Sequence, residues 1–281
     1  LRRRHHKENE HMRSLPADSW DGQAHVFGAP YPLSPTRKYD PPPGSDLAGL
    51  QRMHRQLGFA RGVIVQGAAQ GWDTRPVVDV LRQLPHYVGV ILMNDAMSDR
   101  ELEDLHAAGV RGGRFVFLPG YDISADPRTL ARSFQRLARL GWFAKIFATA
   151  AHWPELKPHL QGIEIPVIID HLGYVDPAAG LDQPAMTIIL DLLRRENWWM
   201  MLSCGDRISK APDWGDVIPF ARSFIDCAPD RVIWGSDWPH VAHDGDGPST
   251  EAVLELPFRY TGDPAQLDRI FRSNPARIFA R

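Results

Sequence analysis

Eight short apolar runs recur along the chain from Trp20 onward, each followed by a polar or amphipathic stretch. They are Asp21–Phe27, Gly62–Gln66, Val88–Leu92, Val110–Phe117, Trp142–Phe147, Val167–Asp170, Trp198–Leu202 and Val232–Trp234. Most are continuously apolar and rich in β-branched or aromatic residues, the pattern of strands covered on both faces. Helical patterns fall between them, over Asp46–Leu57, Thr74–Leu84, Ser98–Ala108 and Arg128–Leu140, then over Trp153–Leu160, Pro184–Arg195, Trp214–Cys227 and Pro264–Phe271. Ser98 with Glu101 three residues later forms a capping box, and Gly58, Gly109 and Gly141 close their helices. Strand and helix alternating eight times predicts an α/β fold of the (β/α)8 TIM-barrel type. The rival, a doubly wound open sheet, lacks support. No Gly-x-Gly-x-x-Gly follows the first strand and no Gly-x-x-x-x-Gly-Lys occurs.

Without an internal repeat or low-complexity linker, residues 20–281 read as one domain. The Pro-rich stretch Tyr31–Gly44 reads as a long first loop across the barrel mouth. Residues 1–19 read as an N-terminal tail, with His11-Met12 resembling a cloning junction. The tail is basic, whereas the whole chain has 32 basic and 34 acidic side chains among 281 residues. That balance argues against a nucleic-acid partner. No apolar run reaches the length of a membrane span, so no membrane partner is expected. Cys204 and Cys227 cannot make a disulfide framework, which makes a reducing cytoplasm the expected compartment. Self-association stays open.

A TIM barrel carries its active site at the carboxyl ends of its strands. Gln23 and His25 lie at the end of the first strand, two residues apart and so on one side of it. The fourth strand offers Arg111 and Arg114. The sixth ends in Asp170-His171, the seventh runs into Ser203, Cys204, Asp206 and Arg207, and the eighth into Ser236-Asp237-Trp238. Alone, each histidine reads as a structural hydrogen-bonder and each arginine as a cap or ion-pair partner. Their convergence on one mouth favours function. Cys204 has no base beside it in sequence, which speaks against a catalytic thiol. Lys145 lies within the fifth strand, with its role open.

The segments Asp21-Gly22-Gln23-Ala24-His25, Asp170-His171-Leu172-Gly173 and Trp234-Gly235-Ser236-Asp237-Trp238-Pro239-His240 resemble the amidohydrolase superfamily. Within it, the chain is similar to the branch containing 2-pyrone-4,6-dicarboxylate lactonase. That likeness extends from about Trp20 to the end and includes Arg111-Gly112-Gly113-Arg114 and Asn274-Pro275. It implies a hydrolase acting on a small anionic substrate, a carboxylated lactone or related cyclic ester. Asp237 is then the general base, and His25 and His171 polarise the carbonyl. Arg114 and Arg207 bind a carboxylate, with Gln23, Gln70 and Trp238 as further substrate contacts.

Departures from the pattern matter as much. The superfamily's His-x-His is Gln23-Ala24-His25 here, and a carboxamide is a poor zinc ligand. No cofactor is therefore favoured. The alternative is one divalent metal ion (Zn) on His25, His171 and Asp237. An arginine expected six residues after Arg114 is Gly120, a tyrosine expected on the fifth strand is Phe147, and a histidine expected after the second is Gln70. Gln23-Ala24-His25 and Leu118-Pro119-Gly120 are similar to galactarolactone isomerases, which carry asparagine where this chain has Asp237. The alternative functions are accordingly a sugar-acid lactone isomerase, a metal-dependent decarboxylase, and a non-catalytic small-molecule binder.

Overall fold

Strand and helix alternate as the apolar runs require. The computed structural model describes residues 14–28, 30–118, 120–243 and 247–280; the basic segment 1–13 and Pro119 lie outside them. β1 (Trp20–Ala24) leads through the Pro-rich segment to α1 (Leu47–Leu57), and β2 (Arg61–Val65) leads to α2 (Arg75–Gln83). β3 (Val88–Leu92), α3 (Asp99–Ala107), β4 (Val110–Phe117) and α4 (Leu130–Arg139) continue the pattern. β5 (Phe143–Ala148) precedes the short α5 (Trp153–Leu156), and β6 (Val167–Ile169) precedes α6 (Pro184–Leu193). β7 (Trp198–Met201) is followed by the single turn α7 (Gly205–Ile208) and by α8 (Ile218–Cys227). β8 (Val232–Ile233) is followed by α9 (Thr250–Tyr260), α10 (Pro264–Asp268) and α11 (Asn274–Phe279).

All strands are parallel and pair in sequence order from β1 to β8. The seam between β8 and β1 is joined by backbone bonds from Gly22 N to Trp234 O (3.0 Å), Asp237 N to Gln23 O (2.9 Å) and His25 N to Trp238 O (2.8 Å). The structure is therefore the expected barrel. Gly235 makes that seam possible, because a Cβ there would lie 2.6 Å from Gln23 N. Gly235→Ala should destabilise the fold by about 1–3 kcal/mol, the usual range for overpacking, read as a lower denaturant midpoint.

The continuous apolar character of the strands has a direct explanation. Val63, Val65, Ile168, Trp199 and Met201 point into the barrel, while Ile64, Val167, Ile169, Trp198 and Met200 pack under the helices. Both faces are buried, so alternation disappears. Ile278 and Phe279 of α11 join the interior cluster, with the Phe279 ring 5.6 Å from Trp20 and 5.4 Å from Phe143. They plug the amino-terminal end and leave the carboxyl end for the site.

Two helices were not legible in the chain. α9 contains Pro257, and α11 starts with Asn274-Pro275, so each reads as broken by proline although in α11 it occupies the tolerated first turn. The helix expected from Trp214 begins at Ile218, since Trp214 adopts a left-handed φ of 57° before a 3-10 turn. Leu15 packs against the core and Ser19 is buried, its carbonyl accepting from Ala60 N and Arg61 N. Among the described residues, no helix is long and apolar enough to cross a membrane.

Candidate active site

Above the apolar interior, the barrel axis turns polar. On β5 the inward positions run Phe143, Lys145, Phe147, so a fully buried ammonium lies between an interior ring and a ring at the mouth. Lys145 Nζ lies 3.1 Å from Asp170 Oδ1 and donates to Gln23 Oε1. Arg114 Nε donates to the other Asp170 oxygen at 2.8 Å. Burial pushes the Lys145 ammonium down. Burial works against the Asp170 carboxylate too, but Lys145 and Arg114 outweigh it and hold its pKa below the ordinary value.

This network orients the next layer. With its oxygen held by Lys145, the Gln23 amide directs Nε2 towards Asp237 Oδ1 (2.8 Å) and His171 Nε2 (3.2 Å). Arg114 Nη2 also reaches His171 Nε2, at 3.0 Å. Guanidinium and amide nitrogens are donors only, so His171 Nε2 must accept, leaving the proton on Nδ1. Nδ1 lies 2.8 Å from Ser203 Oγ and 3.0 Å from Cys204 Sγ. Burial brings the His171 pKa down to about 3, against the pull of Asp237 and Asp170, consistent with a neutral ring.

Asp237 is the hub. His25 Nε2 stands 3.2 Å from Oδ1, while Arg207 Nη2 (2.7 Å) and the Cys204 thiol (3.2 Å) donate to Oδ2. Burial opposes ionisation, yet Arg207 and the hydrogen bond from His25 hold this carboxyl well below the usual range. The other His25 nitrogen, Nδ1, is 2.8 Å from Val65 O, so both ring nitrogens face acceptors. Asp21 fixes the end of β8 from below: its carboxylate accepts from Ser236 N (2.8 Å), Ser236 Oγ (2.6 Å) and His54 Nε2 (3.0 Å).

His171 (φ 55°), Cys204 (φ 57°) and Asp237 (φ 55°) follow three successive strands, and all adopt the left-handed backbone region. Such conformations are unfavourable for residues with side chains and tend to cluster at functional sites. Here they turn three strand ends toward one point.

A cavity of about 430 Å³ opens above that point. His25, His171, Asp237, Arg114 and Arg207 line it, as do Tyr39, Tyr121, Tyr174 and Phe147. Tyr39 comes from the Pro-rich loop, which does cross the mouth; burial pushes its phenol up to about 12. Gln23 lies beneath the cavity as a support for Asp237 and His171. Gln70 and Trp238 are not among the lining residues. The Gln70 amide donates to Val26 O and accepts from Gly67 N (both 2.8 Å), clamping its own loop, and the Trp238 indole lies against α1 at Gly49. Arg111 sits at the opposite end of β4, bonded to His106 O and Val110 O.

Tyr39 escaped the sequence reading of the site, whereas Asp170 and Cys204 were read at strand ends by the mouth and Lys145 within the fifth strand, none with an assigned role. Asp170 carried one usable signal, an aspartate ending an otherwise apolar strand directly before His171. Nothing local marks Cys204, whose partners are distant in the chain.

His171, Cys204 and Asp237 present ligand-type atoms within 4.8 Å of one another. Their hydrogen bonds do not suit a divalent ion. The Nε2 lone pair of His171 faces the Arg114 guanidinium, Nδ1 carries the proton, and Asp237 is already bonded to Arg207. A dication would have to displace these donors and sit beside two guanidiniums, so the residues present do not fit a zinc centre.

The amidohydrolase family model matches residues 10–281. A 2-pyrone-4,6-dicarboxylate hydrolase from Comamonas testosteroni is 38% identical, over 94% of this chain and 91% of that protein. A 4-sulfomuconolactone hydrolase from Hydrogenophaga intermedia is 34% identical, over 95% of this chain and 90% of that protein. An Acinetobacter baumannii structure, named for 2-pyrone-4,6-dicarboxylic acid hydrolysis and solved with citric acid bound, superimposes with a TM-score of 0.83 at 25% identity, covering 94% of this chain and 100% of that one. An amidohydrolase from Burkholderia multivorans with bound zinc shares the fold, with a TM-score of 0.65 at 16% identity over 94% of this chain and 99% of that one. Sequence, motif order and barrel geometry agree: the chain belongs to the amidohydrolase family.

Proposed function

We propose that this enzyme hydrolyses a carboxylated lactone, with Asp237 as general base and no metal ion in the site. The observation that carries this reading is an ionised, buried Asp237 at the floor of a cavity lined by two arginines and two histidines. Lactone hydrolases among the relatives support it.

The step balances within the residues present. A water held by Asp237 adds its oxygen to the lactone carbonyl carbon and passes one proton to the carboxylate. The carbonyl oxygen gains negative charge, which the Arg114 guanidinium and the His25 ring stabilise. Collapse of the tetrahedral species breaks the acyl–oxygen bond, and Asp237 returns the proton to the departing ring oxygen. The products are a hydroxyl (or its keto tautomer) and a new carboxylic acid, which ionises to a carboxylate and releases its proton to solvent. Cys204, Arg207, Gln23 and His25 already occupy the accepting positions of Asp237. The thiol is the weakest of these donors and the one a water displaces most easily.

A direct test is a pH-stat assay of chelator-treated protein on carboxylated lactones. Hydrolysis consumes base at an unchanged rate after chelation; turnover without acid release points instead to a sugar-acid lactone isomerase. Activity that disappears on chelation and returns with added metal would remove the metal-free reading.

A further inference from the structure

We propose that Lys145 is a positioning residue for the reaction: acting through the Gln23 amide, it holds Asp237 and His171 in their working orientation from beneath the cavity. This rests on the lactone-hydrolase reading with Asp237 as general base, and assigns a role to a residue the substrate does not touch.

Lys145 and Gln23 stand on β5 and β1, opposite strands of the eight-stranded barrel, so their contact crosses its axis. Both are fully buried, and neither is among the residues lining the cavity. An ion pair with Asp170 does not account for the lysine. The 3.1 Å approach of Nζ to Asp170 Oδ1 is a charge contact, because that oxygen has no hydrogen-bond partner among the described residues. The directed hydrogen bond of the ammonium goes to Gln23 Oε1. Arg114 Nε already donates to the other Asp170 oxygen at 2.8 Å. An apolar side chain of similar volume would fill the place between Phe143 and Phe147 without the cost of desolvating an ammonium.

What the ammonium supplies is direction. It only donates, so it decides which way round the amide lies. With Oε1 on Lys145, the two Nε2 hydrogens reach Asp237 Oδ1 at 2.8 Å and the accepting Nε2 of His171 at 3.2 Å. Every polar group of the amide is then paired. Turned by half a rotation, the amide would set its nitrogen against the ammonium and its oxygen against the Asp237 carboxylate and the His171 lone pair. All three contacts would become repulsive at once. Without the ammonium, Oε1 is an unpaired buried acceptor, and the side chain gains by leaving this position. Asp237 then loses a donor on Oδ1, and the direction of its remaining lone pairs is no longer fixed.

The test is steady-state kinetics on a carboxylated lactone, with a denaturation curve for each variant. Lys145→Met should lower kcat by about 10- to 100-fold, the cost of slightly misplaced reacting groups. KM should change by less than about threefold, as for an interaction that acts only in the transition state. Gln23→Met should lose about as much, and the double variant no more than the larger single loss, because the two residues act along one route. A purely structural lysine would lower the denaturant midpoint and leave kcat per folded enzyme unchanged. That result, or losses that multiply in the double variant, overturns the proposal while leaving lactone hydrolysis intact. Should Lys145→Met fail to fold, Gln23→Met decides, since the amide carries the link to Asp237. A lowered kcat with unchanged KM supports the proposal there, and a wild-type kcat overturns it. Wild-type enzyme that turns over no carboxylated lactone removes the lactone-hydrolase reading, and this role with it.

Discussion

With Asp237 as the proposed general base, Asp237→Asn should lower kcat by at least about 100-fold, the lower range for removing such a group, with the fold retained. Asparagine keeps the shape of the side chain and still accepts through its oxygen, so the Gln23, His25 or Arg207 contact survives in part. It cannot take a proton from water. The amide nitrogen also faces a donor on whichever side it lies, which adds a modest stability loss. Steady-state kinetics beside a denaturation curve separates the two effects. A variant with near-normal kcat would take Asp237 out of the chemistry, whatever its stability.

The second large effect concerns stability. Asp170→Ala leaves the fully buried Lys145 and the nearly buried Arg114 without their shared carboxylate. Breaking a buried ion pair from one side costs about 3–5 kcal/mol, so the denaturant midpoint should fall well below that of wild type. The pH dependence has a definite sign. The Asp170 pKa is lowered in the folded protein because Lys145 and Arg114 outweigh the opposing effect of burial. Its contribution is therefore present above the unfolded-state value near ~4 and is lost as pH falls through the folded value. The stability gap between wild type and Asp170→Ala should be widest near neutrality and should narrow on acidification below about pH 4. A gap that stays constant from neutral pH through strong acid would contradict this account of Asp170.

The barrel was legible because its strands are buried on both faces: runs such as Val167–Asp170 and Trp198–Leu202 declare themselves by continuous apolar character. Strand ends located His25, His171, Arg114, Arg207 and Asp237 around one cavity, since strand position alone determines which end of a barrel a residue reaches. What strand position could not supply was depth. Gln23, one turn of the pleat below His25, lies under the cavity, and its role depends on Lys145, more than a hundred residues away in the chain. Gln70 and Trp238 stand near strand ends too, but their side chains satisfy local backbone or packing needs. Cys204 and Tyr39 reach the site through a left-handed turn and a long loop, neither of which has a periodic signature.

The metal question shows the same division. Replacement of a histidine by Gln23 marks a departure in the sequence, while the reason the remaining ligands suit no dication lies in tertiary hydrogen bonds. Arg114 on His171 and Arg207 on Asp237 occupy the lone pairs a metal would need.

The central claim is that chelator-treated enzyme adds water across a lactone ester. Mass spectrometry of the product formed from a carboxylated lactone in water enriched in heavy oxygen tests it most directly. The account predicts a product heavier than the substrate by one labelled water, with the label in the newly formed carboxylate. A product of unchanged mass, or turnover that stops on chelation and resumes with zinc, would contradict it.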